Sequence, residues 1–240
     1  MLSNSSKPNR PSENYWPVGQ KEQLWEVSVF LFLIVPSMVL SFFVVRQGTL
    51  GFVFTAFVVM LRDLAMLSLI LFFLWRNGEP WESLGWNSKN GWKDVALGIG
   101  LFLPMSFAAG LLDHALQAAG FSAPATPLPA FLEARGQAEL LLAFFLVVLV
   151  AIAEETIFRG YLLLRFRNLG VSVTWAALLS AVIFSLGHGY EGTSGVVTVG
   201  AMGLTFAVIY LWRQSLVAPM VMHFLQDFTG IVLAPLLGLK

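Results

Sequence analysis

Glu154-Glu155-Thr-Ile-Phe-Arg159 follows the apolar run from Leu140 to Ile152 with only Ala153 between them, so three ionisable side chains fall on a stretch apolar enough for a membrane helix. Centring one such group in a bilayer costs about 2.5–3.5 kcal/mol on insertion scales, which makes each a functional candidate by default. Glu155 and Arg159 are four apart and stack on one helical face, with the carboxylate on the N-terminal side, the better order for an ion pair. Glu154 points about 100° away at 3.6 residues per turn and has no partner close in sequence. It is the better candidate for a free base.

Two of the three histidines lie in or at the end of apolar stretches: His188 closes Phe184-Ser-Leu-Gly-His188, and His223 closes Pro219-Met-Val-Met-His223. Asp227 follows one turn later, on the same face as His223. His114 comes after Asp113 at a helix end, where interfacial solvation explains it. A carboxylate and an imidazole converging on one point can hold and deprotonate a water, the core of a hydrolase. A second imidazole with its neighbouring carboxylate can donate to, or orient a donor toward, the oxyanion formed when water attacks a carbonyl. The chain has neither a Gly-x-Ser-x-Gly elbow nor a cysteine to support a covalent nucleophile. A structural ion pair accounts for Glu155 with Arg159 as readily as chemistry does, and a single buried histidine is more often packed than reactive. The joint occurrence of these groups is what points to function.

The elements that must position them are membrane helices. Hydrophobic residues make up 57% of the 240 and charged residues 12%, so the chain reads as an all-α, polytopic transmembrane helical bundle. Seven spans are expected: Val27–Val45, Leu50–Trp75, Val95–Leu112, Glu139–Arg167, Val171–Leu186, Gly195–Trp212 and Leu216–Gly238, with re-entry of Gly187–Val197 as an alternative. Pro36 should kink the first span, and Pro104 should kink or break the third. Arg62-Asp63 interrupts the second, as a mutually neutralising or snorkelling pair. Trp81, Trp86 and Trp92 mark an interfacial segment, and the proline-rich 123–130 stretch an extended connector. The chain divides into a polar tail (1–26), N-terminal transmembrane helices and interfacial loops (27–138) and a helical core (139–240).

With the N-terminus inside, Lys7, Arg10, Lys21, Arg76, Lys89, Lys93, Arg165, Arg167 and Arg213 fall on one side, against Arg46, Arg135 and Lys240 on the other. This predicts a multi-pass protein of the cell membrane with a cytoplasmic N-terminus. Lys plus Arg and Asp plus Glu are 14 each, which argues for no nucleic-acid partner. Counted from the turn at 165–170 at about 1.5 Å per residue, Glu154 lies roughly 21 Å deep and His188 roughly 25 Å, so an antiparallel hairpin brings them level.

Glu154-Glu155-Thr-Ile-Phe-Arg159, Phe184-Ser-Leu-Gly-His188 and His223-Phe-Leu-Gln-Asp227 resemble, in order and spacing, the E-E-x-x-x-R, F-x-x-x-H and H-x-x-x-(N/D) motifs of the CPBP group of intramembrane proteases. That group includes type II CAAX prenyl endopeptidases and bacteriocin-processing and self-immunity proteins. The resemblance covers about Glu139 to Leu237. It implies an intramembrane endopeptidase in which Glu154 and His188 activate water, His223 with Asp227 stabilises the oxyanion, and Glu155 and Arg159 organise the site. Asp227 stands where the prenyl endopeptidase branch usually has Asn; an ionised carboxylate only accepts hydrogen bonds, which weakens the case for a prenylated substrate and suits a role in orienting His223. Zinc is the alternative cofactor, with Glu154, His188 and His223 as three ligands and water as the fourth. The resemblance favours a metal-free mechanism, and no His-Glu-x-x-His helix is present. The expected partners are a membrane-associated peptide or protein and the lipid bilayer. A non-enzymatic immunity or peptide-binding module is the competing reading, and a proton-coupled transporter gains little from seven uneven spans without repeated halves.

Overall fold

The computed structural model describes residues 19–44, 51–87, 90–125, 129 and 131–238. The expected tail residues 1–18, and Lys7, Arg10, Arg46, Lys89 and Lys240 in the charge count, lie outside the described residues. Seven helices follow one another: α1 (Gln20–Val44), α2 (Phe52–Asn77), α3 (Gly91–Ala118), α4 (Gly136–Asn168), α5 (Val173–Leu186), α6 (Gly192–Arg213) and α7 (Val217–Leu236). No strand occurs among the described residues. Six of the helices are long and apolar enough to cross a membrane.

The exception is α5. At 14 residues it spans only about 21 Å at about 1.5 Å per residue, short of a hydrocarbon core of about 30 Å. Its start is set by Gly170, whose φ of 90° ends the preceding helix, and by Ser172, whose hydroxyl accepts from the Trp175 N–H. Elsewhere the helices run slightly beyond the apolar runs. The first begins at Gln20 rather than Val27 because Glu26, 4% exposed, is buried in a polar network. The third passes Pro104 without a break. Gly187–Val197 is a short 3₁₀ turn, Gly189–Glu191, leading into α6.

Two helices are interrupted internally by π-helix. The α-helical ladder of α4 runs to Glu155, changes to π over Thr156–Leu162, and resumes at Leu163. In α7 the change comes at Phe228–Leu233, directly after Asp227. Such insertions occur mostly as single turns and often at functional sites.

Polar staples define two ends of the bundle. At one, the Arg76 guanidinium meets Glu26, Asn77 donates to Glu26 at 2.9 Å, Arg165 reaches Glu79 at 2.8 Å, Arg213 reaches Asp94 at 2.7 Å, and the Leu216 N–H donates to the Gly85 carbonyl at 3.1 Å. These contacts gather the start of α1, the α2–α3 connection, the α4–α5 turn and the α6–α7 turn. At the other end, the Ser122 hydroxyl accepts from the Thr193 N–H at 2.9 Å, Ser41 donates to the Leu186 carbonyl at 2.9 Å, and Phe131 packs edge-on against Tyr190. The α3–α4 connector thereby caps α6. Gly192, at φ 77°, allows this, because a Cβ there would lie 2.6 Å from the Ala123 carbonyl oxygen.

Between the ends, α2 packs along α4, α3 along α7 and α5 along α6. Large apolar side chains such as Phe32, Leu103 and Phe107 point outward, as lipid-facing surfaces require. Trp81, Trp86 and Trp92 are all exposed, and Trp86 also donates its indole N–H to the Thr156 hydroxyl at 3.0 Å.

Candidate active site

Glu154 and Glu155 occupy the last α-helical turn of α4 before the π segment. Glu155 is fully buried, and its Oε1 accepts from Arg159 Nη1 at 2.8 Å. The expected ion pair is present. The same oxygen also lies 2.8 Å from His223 Nδ1 on α7, a contact sequence spacing did not suggest. Arg159 also donates to the Gly203 carbonyl at 3.2 Å and lies by the ring faces of Phe184 and Phe206, whose centroids lie 4.3 Å and 5.2 Å from the guanidinium carbon. Gly203 keeps this approach close, since an added Cβ would sit 3.0 Å from Arg159 Nη2.

The Glu155 contact assigns roles to the two nitrogens of His223. A carboxylate can only accept, so Nδ1 carries a proton toward Glu155, and Nε2 is left to face the other carboxylates. Nε2 lies 3.5 Å from Asp227 Oδ2 and 3.8 Å from Glu154 Oε2. His223 is thus anchored on one edge and open on the other, between the two carboxylates the sequence singled out.

His188 ends α5. Its Nδ1 faces the Phe184 carbonyl at 3.3 Å, and its ring lies 5.0 Å from that of Phe184. Phe184 also contacts the His223 ring at 5.9 Å. It therefore spaces both imidazoles and Arg159, a task the F-x-x-x-H pattern does not disclose. A cavity of about 390 Å³ is lined by His188, His223 and Asp227, with Asp113, Tyr190 and Glu191. No Lys or Arg is in its wall.

Glu154 is not in that wall. Its side chain, 14% exposed, lines a separate void of about 20 Å³ with Ser37, Arg62 and Asp63. Arg62 donates to Asp63 through Nε and Nη2 at 2.9 Å and 2.8 Å, and its Nη2 lies 3.7 Å from Glu154 Oε1. Among the described residues no hydrogen bond or ion pair joins Glu154 to His188. The described link from Glu154 toward the imidazoles is to His223, whose Nε2 lies 3.8 Å from Glu154 Oε2. Arg62-Asp63 is the mutually neutralising pair expected, and in addition a neighbour of Glu154. The depth count already used for Glu154 had the means to find it: Arg62 lies about 22 Å from Asn77 and Glu154 about 21 Å from Asn168, at about 1.5 Å per residue. Tyr190 and Glu191 were also missed, although they directly follow His188-Gly189.

A zinc ion needs three protein ligands within about 2.0–2.2 Å of one point. Among the described residues no group of three or more His, Asp or Glu side chains is arranged to hold a metal. Glu154, His188 and His223 as placed do not fit one.

No curated protein and no solved structure matches the chain. Residues 136–229, which carry all three motifs, are similar to the type II CAAX prenyl endopeptidase Rce1-like family.

Proposed function

We propose that the protein is an intramembrane endopeptidase that hydrolyses a peptide bond in a membrane-associated peptide or protein, using a water activated by Glu154 and His188. The observation that carries this reading is His223, held through Nδ1 by Glu155 and presenting Nε2 to the cavity beside Asp227, with Glu154 3.8 Å behind it.

In the proposed reaction, the scissile carbonyl lies in the cavity and a water lies between Glu154 and His188. Glu154 takes a proton as the water oxygen bonds to the carbonyl carbon, and the carbonyl oxygen becomes an oxyanion. As an imidazolium, His223 donates to it from Nε2 while Nδ1 stays on Glu155, with Asp227 fixing the ring. Glu154 then returns its proton to the departing amine nitrogen as the C–N bond breaks. Glu155 and Arg159 act through His223 and are positioning residues. No metal and no organic cofactor takes part, and no nucleic acid is a partner. The protein resides in the cell membrane with its N-terminus in the cytoplasm, the orientation favoured by its basic residues.

Comparison of peptide termini in membranes carrying wild-type, Glu154→Ala or His188→Ala protein tests the reading. Fragments that depend on both side chains, at equal protein levels, are expected. Fragments unchanged by either substitution would overturn the assignment. A peptide retained by wild type without any product would establish the immunity or binding alternative instead.

A further inference from the structure

Hydroxyls inside these helices have a local acceptor: Ser28, Ser68 and Thr205 each donate to the carbonyl four residues back, a common outlet for Ser and Thr in a helix. Two hydroxyl residues that line the large cavity do otherwise. Ser106 on α3 donates across to Gln226 Oε1 on α7 at 3.0 Å. Thr198 on α6, 7% exposed, has no hydrogen-bond partner for its Oγ1, although the Ser194 carbonyl lies one turn back on the same helix.

Ser106 sets the direction of the Gln226 amide. With Oε1 accepting the serine proton, Nε2 keeps two hydrogens to donate, and among the described residues no acceptor takes them. Gln226 is half-buried in the cavity wall and stands three residues after His223, on the same face of α7. Among the described residues it is the only side-chain amide in that wall, where Asp113, Glu191 and Asp227 are acceptors. An extended peptide presents a carbonyl and an N–H at each residue, and so suits a wall that offers both donors and acceptors. A buried hydroxyl without a partner weakens the free protein; it gains its bond when such a chain enters.

We infer that Gln226 Nε2 donates to a backbone carbonyl of the bound peptide beside the scissile bond, that Ser106 is the positioning residue for this amide, and that the Thr198 hydroxyl bonds the same peptide from α6. The grip is on main chain, independent of the peptide's side chains. It rests on the peptidase reading above.

Internally quenched peptides of random sequence, offered to purified full-length protein in detergent, are the probe, and the member cut fastest in a Glu154-dependent manner is then used alone. Gln226→Met keeps the length and helix propensity of the side chain and leaves Ser106 free to bond back to its own helix, so folding is retained. It should raise KM roughly three- to tenfold, the worth of one neutral hydrogen bond, with kcat nearly unchanged. Ser106→Ala should raise KM less, Ser106→Thr should restore it, and Ser106→Ala should add nothing in Gln226→Met protein. Thr198→Val should raise KM while the melting temperature holds or rises, because the hydroxyl removed has no partner within the protein. A fall in melting temperature with KM unchanged overturns the role of Thr198.

Thioamides placed singly along the peptide read the Gln226 contact directly, since sulfur accepts a hydrogen bond more weakly than oxygen. One position should raise KM for wild type and leave it unchanged for Gln226→Met. Equal effects on both proteins at every position, or additive losses from Ser106→Ala and Gln226→Met, overturn the assignment. If no peptide is cut in a Glu154-dependent manner, the peptidase reading fails. Retention of the same peptide pool by Glu154→Gln protein then decides the grip: it stands if Gln226→Met and Thr198→Val each lower retention, and falls if neither does.

Discussion

Arg159 and Arg165 are both fully buried on the same helix, less than two turns apart, yet they sit in different kinds of company. Arg165 is held by Glu79 at 2.8 Å and Glu26 at 3.4 Å, carboxylates from the α2–α3 connection and from α1, with its guanidinium 5.0 Å from the Tyr161 ring centre. Its partners are two carboxylates and a phenol ring, and among the described residues no imidazole is paired with it. Arg159 has one carboxylate, Glu155, and that carboxylate is shared with His223. Burying a charge demands a partner in both places. In the first the further contacts of Glu26 and Glu79 are to Arg76 and Asn77; in the second the further contact is His223, which lines the cavity.

The contrast predicts different losses. Under the proposed mechanism, Glu154→Gln should leave membrane levels unchanged and lower cleavage by about 10²–10⁴-fold, the usual range for a general base. Turnover per folded molecule is the measurement. Arg159→Met and Arg165→Met should each destabilise by about 3–5 kcal/mol, since each removes the cation from a buried ion pair. Melting in detergent reads that loss. Activity per folded molecule should fall for Arg159→Met and hold for Arg165→Met; equal losses would dissolve the contrast between the two arginines.

Smaller effects sharpen it. Arg62→Gln removes the cation beside Glu154 and should slow turnover by roughly fivefold, corresponding to about 1 kcal/mol of barrier for a partly exposed pair. Arg62→Lys should recover part of it. Ser122→Ala removes the hydroxyl that accepts from the Thr193 N–H and should cost about 1 kcal/mol of stability, as loss of a helix N-cap does, with turnover unchanged. Chelators should have no effect on turnover, and activity lost to a chelator and restored by added zinc would reverse the metal-free proposal.

What was legible in the sequence follows from which forces act locally. Long apolar runs announce helices, so their order and number were readable, and the i, i+4 spacing foretold Glu155 with Arg159. The third partner was not readable, because Glu155 and His223 are 68 residues apart and meet only when α7 packs against α4. Nor was the length of α5, which Ser172 and Gly170 shorten by a local turn that the apolar count overlooks. Arg62, which lies 3.7 Å from Glu154, is on α2, outside the segment that matches the family. A pattern confined to residues 136–229 has no access to it.

The π segment of α4 bears on how the gene can change. Seven residues, Thr156–Leu162, carry the looser ladder between the paired glutamates and Arg165. Deleting any one of them would let the helix close into a uniform α-ladder, turning everything downstream by about 100° relative to Glu154 and Glu155. Arg165 would then leave Glu26 and Glu79, and Gly160 would lose its close seat against the Leu84 carbonyl, where a Cβ would lie 2.9 Å away. Point substitutions on the outer face of α4 can drift freely, but its residue count cannot. Among variants of this chain, single-residue deletions between 156 and 162 should be far rarer than in the connector at 119–135.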